Sequence, residues 1–577
     1  MSESAAVLLS KDSAPSAPHS AIEQFTHVPR IAYFSMELAL RNDIPTYAGG
    51  LGVLAGDLLR SAADLDVSLV AITLASRRGY FRQQLTPEGD QIELPDEWNP
   101  AAFATRLGTT VSVRLGERDV WIGAWLYIVE SPMGGRIPVL LLDTTDERND
   151  ADARKLTDRL YIDGNDHRLR QEAILGIGGI RMLRALGFEI REFHMNEGHS
   201  ALLSLELLRE ETSRGAVPER ALESVRARNN FTTHTPVEAA YDRFPYELVR
   251  QVLGETIDHN LLRRLGGEKE LNTTRLALET SGLVNGVAPS HARLERKLFP
   301  EFSFKSVSNG VHSPTWTCPS IALLFDRYVP DWRCEPEFLT RAVRIPDAEL
   351  RQAHQEAKQA LIAFVRGTTG VALDDAKPIL AFARRMTGYK RPDLLFHDDA
   401  MLRAIALEHP FQVVIAGKAH PNDEEGKEMI RFIHARAREL AGAIPIVFLP
   451  NYALDLARLL VAGSDVWLNT PLPPLEASGT SGMKAAHNGV PSLSVLDGWW
   501  IDGCIEGVTG WAIEGGGSAE DAHSLYTKLR EVVLPLYDRD GDGWVRVMKG
   551  AIVHNASLFN SHRMLRRYAT EVYLGAV

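Results

Sequence analysis

The sequence predicts an α/β protein made of two doubly wound lobes. Short apolar runs alternate with helical patterns, which is typical of parallel sheets built from βαβ units. This alternation occurs in two separate series along the chain. A proline-containing stretch without clear periodicity, from Asn309 to Trp332, lies between the two series. This stretch is therefore the predicted junction between the lobes.

The first series predicts an amino-terminal lobe of residues 26–320. Its predicted strands are Ile31–Met36, Val67–Leu74, Val139–Leu142, Phe193–Met195, Phe231–Thr233 and Leu283–Ala288. Most of these runs are rich in apolar residues, as expected for strands covered by helices on both faces. The segments between most of them are long enough for the helical crossovers that parallel strands require.

The second series predicts a carboxy-terminal lobe of residues 321–577. Its predicted strands are Ile379–Phe382, Val413–Ala416, Ile446–Leu449, Val466–Leu468 and Leu493–Leu496. Doubly wound lobes bind ligands at the carboxyl ends of their strands. The two lobes are therefore expected to face each other across a ligand-binding cleft.

Composition excludes several classes of function. The chain has 577 residues, of which 45% are hydrophobic and 24% charged, as is ordinary for a globular protein with more than one domain. A net charge of −12 argues against binding to nucleic acids or anionic membranes. The chain contains no uninterrupted apolar stretch of about 20 residues that could span a bilayer. Residues 1–25 are rich in serine, alanine and proline and predict a flexible tail.

The cysteines indicate neither disulfides nor a metal cluster. Cys318, Cys334 and Cys504 are the only three, and none belongs to a Cys-x-x-Cys pair. This usage fits a reducing cytoplasm. No bound metal is predicted.

The segment from Glu476 to Lys484 combines small residues with one lysine at the start of a predicted helix. Glycine lets a ligand approach the backbone closely, and a helix start favours an anion such as a phosphate. A lysine beside a phosphate site can form a Schiff base with an aldehyde, so the segment is consistent with bound pyridoxal phosphate. A glycine- and serine-rich turn with a solvated Lys484 explains the same residues equally well.

A basic segment follows the predicted strand Ile379–Phe382. Its cations are Arg384, Arg385, Lys390 and Arg391. Arginine forks and a lysine point charge suit a phosphate dianion, and the end of a strand is where α/β folds bind ligands. A solvated basic turn is the alternative. The position of this segment opposite the lysine segment, in strand order, favours phosphate binding.

Polar side chains also follow two predicted strands of the first lobe. Glu197 and His199 come after one strand and His234 after another, where they could read the hydroxyl groups of a sugar. Metal binding by the spacing of His194 and His199 is a second option, and each histidine alone fits a structural role. The pair Gly49 and Gly50 predicts a glycine-rich helix start that offers N–H groups to a ligand.

Taken together, these motifs resemble those of the α-glucan phosphorylases, the family of the glycogen, starch and maltodextrin phosphorylases. The resemblance runs from about Ile31 to at least Trp511, with the motifs in family order. Ser481 replaces a glycine of the animal-type motif, as in the shorter bacterial and archaeal branch. Thr387 replaces a histidine of the phosphate segment.

The resemblance implies a role for each matching residue. Catalysis would depend on Lys484, which would carry pyridoxal phosphate as a Schiff base, on the phosphate ligands Arg385 and Lys390, and on His234, whose backbone would contact the sugar. The residues implied around the cofactor are Arg384, Tyr452, Trp316, Gly49, Gly50, Thr480 and Ser481. Those implied in binding glucose or the acceptor glucan are Asn309, Glu476, Ser478, Gly479, Glu197 and His199.

The implied fold is a pair of Rossmann-like lobes of the GT-B type with the active site in the cleft between them. The implied reaction is reversible, retaining phosphorolysis of an α-1,4-glucan or maltodextrin by inorganic phosphate to glucose 1-phosphate. No metal, nucleic acid or membrane takes part, and the resemblance allows a homodimer. A sugar-nucleotide-dependent GT-B glucosyltransferase and a non-catalytic glucan-binding protein are the alternatives.

Overall fold

Two large sheets dominate the structure, which is a computed structural model. It describes residues 18–161, 164–234, 236–237, 241–254 and 258–573. Within these residues the sheets have nine and six strands, and two short two-stranded ribbons accompany them. None of the described helices combines the length and the apolar character needed to cross a membrane.

The first half of the chain forms the nine-stranded sheet. The strands of this half are β1 (Arg30–Phe34), β2 (Leu69–Leu74), β3 (Arg82–Leu85), β4 (Gln91–Leu94), β5 (Thr105–Leu115), β6 (Arg118–Glu130), β7 (Arg136–Asp143), β8 (Ile190–Asn196), β9 (Asn229–Thr232), β10 (Arg243–Pro245), β11 (Glu270–Asn272), β12 (Leu283–Gly286) and β13 (Phe304–Ser306). The strand order is β13-β12-β9-β8-β1-β2-β7-β6-β5. The six predicted strands are confirmed as β1, β2, β7, β8, β9 and β12, and they pair in parallel with their neighbours among this set.

The second half forms the six-stranded parallel sheet. Its strands are β14 (Ile379–Ala383), β15 (Gln412–Ala416), β16 (Ile446–Leu449), β17 (Val466–Asn469), β18 (Ser492–Val495) and β19 (Gly510–Ile513). The order is β16-β15-β14-β17-β18-β19, so five predicted strands are confirmed and β19 is added. The order reverses between β14 and β17, and such a switch point leaves a crevice at the carboxyl ends of the two strands.

Helices cover both sheets. The helices of the first half are α1 (Pro18–Glu23), α2 (Gly50–Asp64), α3 (Asn165–Ala173), α4 (Gly179–Ala185), α5 (Leu203–Ser213), α6 (Pro218–Arg226), α7 (Tyr246–Leu253), α8 (His259–Gly266), α9 (Thr273–Glu279) and α10 (Pro289–Leu298). Those that follow are α11 (Ser313–Trp316), α12 (Pro319–Tyr328), α13 (Asp347–Thr369), α14 (Asp399–Glu408), α15 (Glu424–Leu440), α16 (Leu454–Gly463), α17 (Ser481–Ala486), α18 (Trp500–Gly503), α19 (Ser518–Lys528), α20 (Leu534–Arg539), α21 (Gly541–Gly550) and α22 (Ser561–Tyr568).

The stretch predicted as an irregular junction contains two helices, α11 and α12. Pro314 and Pro319 lie in the first turns of these helices. Proline is favoured there because the first helical N–H groups have no partner within the helix. The same prolines that indicated a junction in the sequence therefore start helices in the structure.

Both ends of the described chain pack on the first sheet. Ile22 and Phe25 are buried in its main hydrophobic cluster, so ordered structure begins before residue 26, while residues 1–17 of the predicted tail lie outside the described residues. Leu565 and Tyr568 of α22 belong to a second cluster with residues of α2 and β2. The lobe boundary at residue 320 remains a prediction.

Candidate active site

Three predicted site residues meet at the switch point of the second sheet. Arg384 directly follows β14, and Glu476 lies in the loop after β17. The Arg384 Nη2 atom lies 2.7 Å from Glu476 Oε2, and the Lys390 ammonium contacts the same oxygen. Burial raises the pKa of the Glu476 carboxyl, but the two cations outweigh this effect and lower it to about 2. Glu476 is therefore ionised at neutral pH, and the cluster as a whole is cationic.

Asp497, which sequence analysis did not find, holds the loop that carries Glu476. Its Oδ2 atom accepts a hydrogen bond from the Glu476 backbone N–H at 2.9 Å. Gly498 follows with φ at +55°, and a Cβ atom there would lie 2.4 Å from the Ser478 carbonyl oxygen. Only glycine fits this close approach. Burial raises the pKa of the Asp497 carboxyl to about 6.

Lys484 lies on α17 with its ammonium 4.2 Å from the centroid of the Trp316 indole ring. The side chain is buried, and burial lowers the pKa of its amine to about 8, against an opposing effect of Asp57. Trp316 Nε1 donates to Asp57 Oδ2 at 2.7 Å. A neutral amine is the form that attacks an aldehyde, so this environment favours covalent anchoring of a carbonyl compound.

Helix α17 is fixed from several sides. The Ser481 hydroxyl accepts a hydrogen bond from Trp467 Nε1 at 3.0 Å, and Thr480 immediately precedes the helix. The buried Asn488 side chain donates to the Trp316 carbonyl and accepts from the Cys318 N–H, both at 2.8 Å. These bonds tie the lysine helix to the segment that contains Trp316.

The glycine pair of the first half lies at the start of α2, as predicted. Glu37, which sequence analysis did not find, accepts hydrogen bonds from Ala48 N at 2.7 Å and Gly49 N at 3.1 Å. A Cβ atom on Gly50 would meet no atom within 4 Å, and one on Gly49 would lie 3.5 Å from Arg385 Nη2. Arg385, from the second half of the chain, therefore reaches the glycine loop of the first half.

His234 and Glu197 are in direct contact. Glu197 Oε2 accepts from the His234 backbone N–H at 2.8 Å, and His234 Nε2 lies 2.7 Å from Asn196 Oδ1. Glu197 has φ at +76°, a conformation that costs free energy for a residue with a side chain. Burial lowers the pKa of His234 to about 3, so the ring is neutral.

His199 and His194 have different partners. His199 Nε2 accepts from the Met36 N–H at 3.0 Å, whereas His194 pairs with Tyr573 and Thr232. Burial lowers the pKa of both rings to about 3. No group of three or more metal-ligating side chains suited to an ion was found in the part of the chain that the structure describes.

Several buried polar atoms at these positions have no hydrogen-bond partner in the described protein. They are Nε and Nη1 of Arg384, Oγ of Ser478 and Oδ1 of Asn309. Buried groups of this kind normally bind something, and two guanidinium atoms with two oxygens suit an anionic or hydroxyl-rich ligand. Gly479, next to Ser478, has φ at +79°. Tyr452 is close enough for the Arg384 charge to lower its pKa, although burial raises it by more.

Comparison with known proteins decides the family. A family model described as carbohydrate phosphorylase matches residues 255–509. The chain is 37% identical over 594 residues to maltodextrin phosphorylase of Thermococcus litoralis, covering 95% of this chain and 71% of that protein. The chain belongs to the carbohydrate phosphorylase family. It is also 36% identical to glycogen phosphorylases of Aquifex aeolicus and Mycobacterium tuberculosis, of which the alignments cover 87% and 71%.

Membership of the phosphorylase family agrees with the resemblance that the motifs indicate. The chain is an α-glucan phosphorylase, an enzyme of the glycosyltransferase class. The mixed α/β architecture with large parallel sheets is consistent with this family. The roles of individual residues remain predictions.

Proposed function

We propose that the chain is a retaining α-glucan phosphorylase that uses inorganic phosphate to release glucose 1-phosphate from an α-1,4-glucan, and that the reaction is reversible. The observation that carries this proposal is the buried Lys484 amine, which lies against the Trp316 ring. Lys484 is on α17, between β17 and β18, and the cationic residues Arg384 and Lys390 follow β14 of the same sheet. Membership of the carbohydrate phosphorylase family supports the same proposal.

The residues present fit pyridoxal phosphate. A neutral amine on Lys484 would anchor the aldehyde, and the unpaired atoms of Arg384 would bind its phosphate. Trp316, Tyr452, Thr480 and Ser481 would surround the cofactor, and Gly50, next to Gly49, leaves open space at the start of α2. When bound, the cofactor supplies its phosphate group as a proton relay.

Arg385 and Lys390 would hold the inorganic phosphate. Phosphorolysis separates charge, because the leaving oxygen gains a proton while a cationic glucosyl centre forms beside the phosphate dianion. Positioned cations stabilise that arrangement more than water does, because they need no reorganisation as the charge develops. Lys390 is buried, whereas Arg385 is exposed and its guanidinium lies beside Gly49. The phosphate dianion would therefore bind between Lys390 and the side of Arg385 that faces Gly49.

The sugar would bind between the two halves of the chain. Asn309 Oδ1 and Ser478 Oγ are buried acceptors without protein partners, and sugar hydroxyl groups would satisfy them. Glu476 and Gly479 would contact the same glucosyl unit, and the backbone at His234 would contact it from the first half. Glu197, which accepts from the His234 N–H, and His199, which accepts from the Met36 N–H, would lie toward the acceptor glucan and help to orient it.

This arrangement corresponds to a GT-B fold with the active site in a cleft between lobes of residues 26–320 and 321–577. The position of Arg385 beside Gly49 supports this arrangement, because the two residues belong to different proposed lobes. Glucan, phosphate and glucose 1-phosphate are the proposed partners.

The decisive experiment measures phosphate release from glucose 1-phosphate with a panel of maltodextrins as acceptors. We expect turnover, an absorbance band of bound pyridoxal phosphate, and no transfer from UDP-glucose, because no residue of the site is assigned to a nucleotide base. Transfer from UDP-glucose that survives Lys484→Ala would establish the glucosyltransferase instead. Glucan binding without turnover would establish a binding protein.

A further inference from the structure

A short hairpin of the first half reaches across to the second sheet. Strands β3 and β4 pair in antiparallel register and form this hairpin, and Leu85 of β3 packs on the hydrophobic cluster of the second half. At its base, Lys418 Nζ donates to the Phe81 carbonyl at 2.8 Å. The hairpin therefore belongs by sequence to one half and by contact to both.

Two glutamines of the hairpin form hydrogen bonds with the backbone that follows β15. Gln83 Nε2 donates to the Gly417 carbonyl at 2.9 Å. Gln91 forms two hydrogen bonds with Ala419: its Nε2 donates to the Ala419 carbonyl and its Oε1 accepts from the Ala419 N–H, both at 3.0 Å. Gln83 also donates to Gln91 Oε1 at 2.8 Å, so the two amides form one connected unit.

On its other side, the backbone of residues 416–419 forms hydrogen bonds with the basic segment that follows β14, here called the arginine segment. The Arg384 N–H donates to the Ala416 carbonyl at 3.2 Å, and the Met386 N–H donates to the Lys418 carbonyl at 3.0 Å. Residues 416 and 418 thus face the arginine segment, and residues 417 and 419 face the glutamines. Alternate residues of an extended strand point their hydrogen-bonding groups to opposite sides, so the glutamine amides substitute for a neighbouring strand.

Gln83 makes a second contact, with the loop after β16. The Asn451 N–H donates to Gln83 Oε1 at 2.8 Å, and the Gln83 N–H donates to Asn451 Oδ1 at 3.1 Å. Asn451 has φ at +57°, a left-handed conformation that this reciprocal pair stabilises. Tyr452, the next residue, is one of those proposed to contact the cofactor.

We propose that Gln83 and Gln91 are positioning residues that align the Arg384–Arg385 segment and Tyr452 with the glycine loop of the first half. Neither glutamine touches the reacting groups. They set the distance between the cations of the second half and the start of α2. The kinetic part of this inference rests on the proposed function, and its structural part does not.

Gln83→Met and Gln91→Met remove one amide each with little change in side-chain volume. Gln84→Met is the matched control, because Gln84 is exposed on the other face of the same strand. Hydrogen exchange of the full-length protein is followed in peptides that cover residues 417–420 and 449–452. We expect about tenfold faster exchange of the Asn451 amide in Gln83→Met and of the Ala419 amide in Gln91→Met, the effect of losing one hydrogen bond. The control should exchange as the wild type does.

The second readout separates positioning from simple stability. We expect the KM for inorganic phosphate to rise about tenfold in both variants, while the KM for maltodextrin changes less than twofold. Unchanged exchange, an equal change in Gln84→Met, or faster exchange with an unchanged phosphate KM would overturn the proposal. If the wild-type protein performs no phosphorolysis, the proposed function fails. Calorimetric binding of inorganic phosphate then replaces the KM, and equal affinity in all variants overturns the proposal.

Discussion

The Lys484 ammonium lies over the Trp316 ring at 4.2 Å, and the same ring donates from Nε1 to the buried carboxylate of Asp57. Lysine, indole and carboxylate come from α17, α11 and α2, three elements that are distant in sequence. The amine is therefore held at a fixed depth between the two halves of the chain.

This relationship predicts the pH dependence of cofactor attachment. Pyridoxal phosphate added to cofactor-free protein and trapped with borohydride should label Lys484, with a midpoint near pH 8, because burial lowers the pKa of this amine to about 8. Peptide mass analysis over pH 6–10 measures it. Asp57→Asn should move the midpoint lower, because it removes the charge that opposes the shift. A midpoint near pH 10.5, or label on another lysine, contradicts the prediction.

The same lowered pKa predicts a pH-dependent stability. The unfolded chain holds the Lys484 proton up to about pH 10.5, whereas the folded chain releases it near pH 8. Unfolding therefore binds protons in this window, and the contribution of Lys484 to stability rises with pH. Lys484→Met should stabilise cofactor-free protein at pH 7 by up to about 3 kcal/mol and have little effect at pH 10.5. Thermal unfolding at the two pH values tests this, with Lys377→Met at a partly exposed lysine as the control.

Arg385→Ala and Lys390→Ala should each reduce phosphorolysis about a hundredfold or more, because each removes a fixed cation from the phosphate. Glucan binding, measured separately, should change little. Lys377→Ala, which removes a partly exposed lysine from the turn before β14, is the control and should keep wild-type rates. Near-normal rates in both site variants would mean that the basic segment is a surface turn.

Glu476→Gln should weaken the discrimination between glucose 1-phosphate and its 2-deoxy or mannose counterparts. The carboxylate accepts from two cations and is a proposed acceptor for the sugar, and glutamine keeps the shape without the charge. Inorganic phosphate should bind more tightly, because Lys390, one of its proposed ligands, loses a competing anion. The ratio of kcat/KM values between donors measures the first effect. An unchanged ratio would place Glu476 outside the sugar site.

Two glycine substitutions test whether a glycine is needed to leave room for a ligand or to allow close packing within the protein. Gly50→Ala should leave the unfolding temperature almost unchanged, since its Cβ atom meets nothing within 4 Å, but it should weaken substrate or cofactor binding. Gly482→Ala should destabilise the protein, since its Cβ atom would lie 2.6 Å from the Trp499 ring. Wild-type binding in Gly50→Ala would show that the open space takes no ligand.

The alternation of apolar runs and helical patterns predicted most of the parallel core of both sheets, because those strands are largely buried and rich in apolar residues. Strands β5 and β6 escaped prediction, since they form an antiparallel edge with polar residues such as Thr110 and Arg114 along their length. The prolines of α11 and α12 indicated a break, although their place at helix starts depends on backbone geometry that composition does not specify.

The motifs identified site residues that lie within short characteristic stretches of sequence, such as the segment from Glu476 to Lys484. Glu37, Asp57 and Asp497 were missed because each acts on a partner from another segment. Asp57, for instance, lies inside an ordinary helical pattern, and only the fold brings it to Trp316. Long-range pairing of this kind leaves no local signature.

The return of α22 to the first sheet has a consequence for biosynthesis. Leu565 and Tyr568 join a hydrophobic cluster most of whose members are synthesised much earlier, and Ser561 Oγ lies 2.6 Å from Ser61 Oγ. Domains on the ribosome usually fold in the order of their synthesis. The apolar surface of α2 therefore stays without these partners until α22 has been synthesised, although α2 lies some 500 residues earlier in the chain.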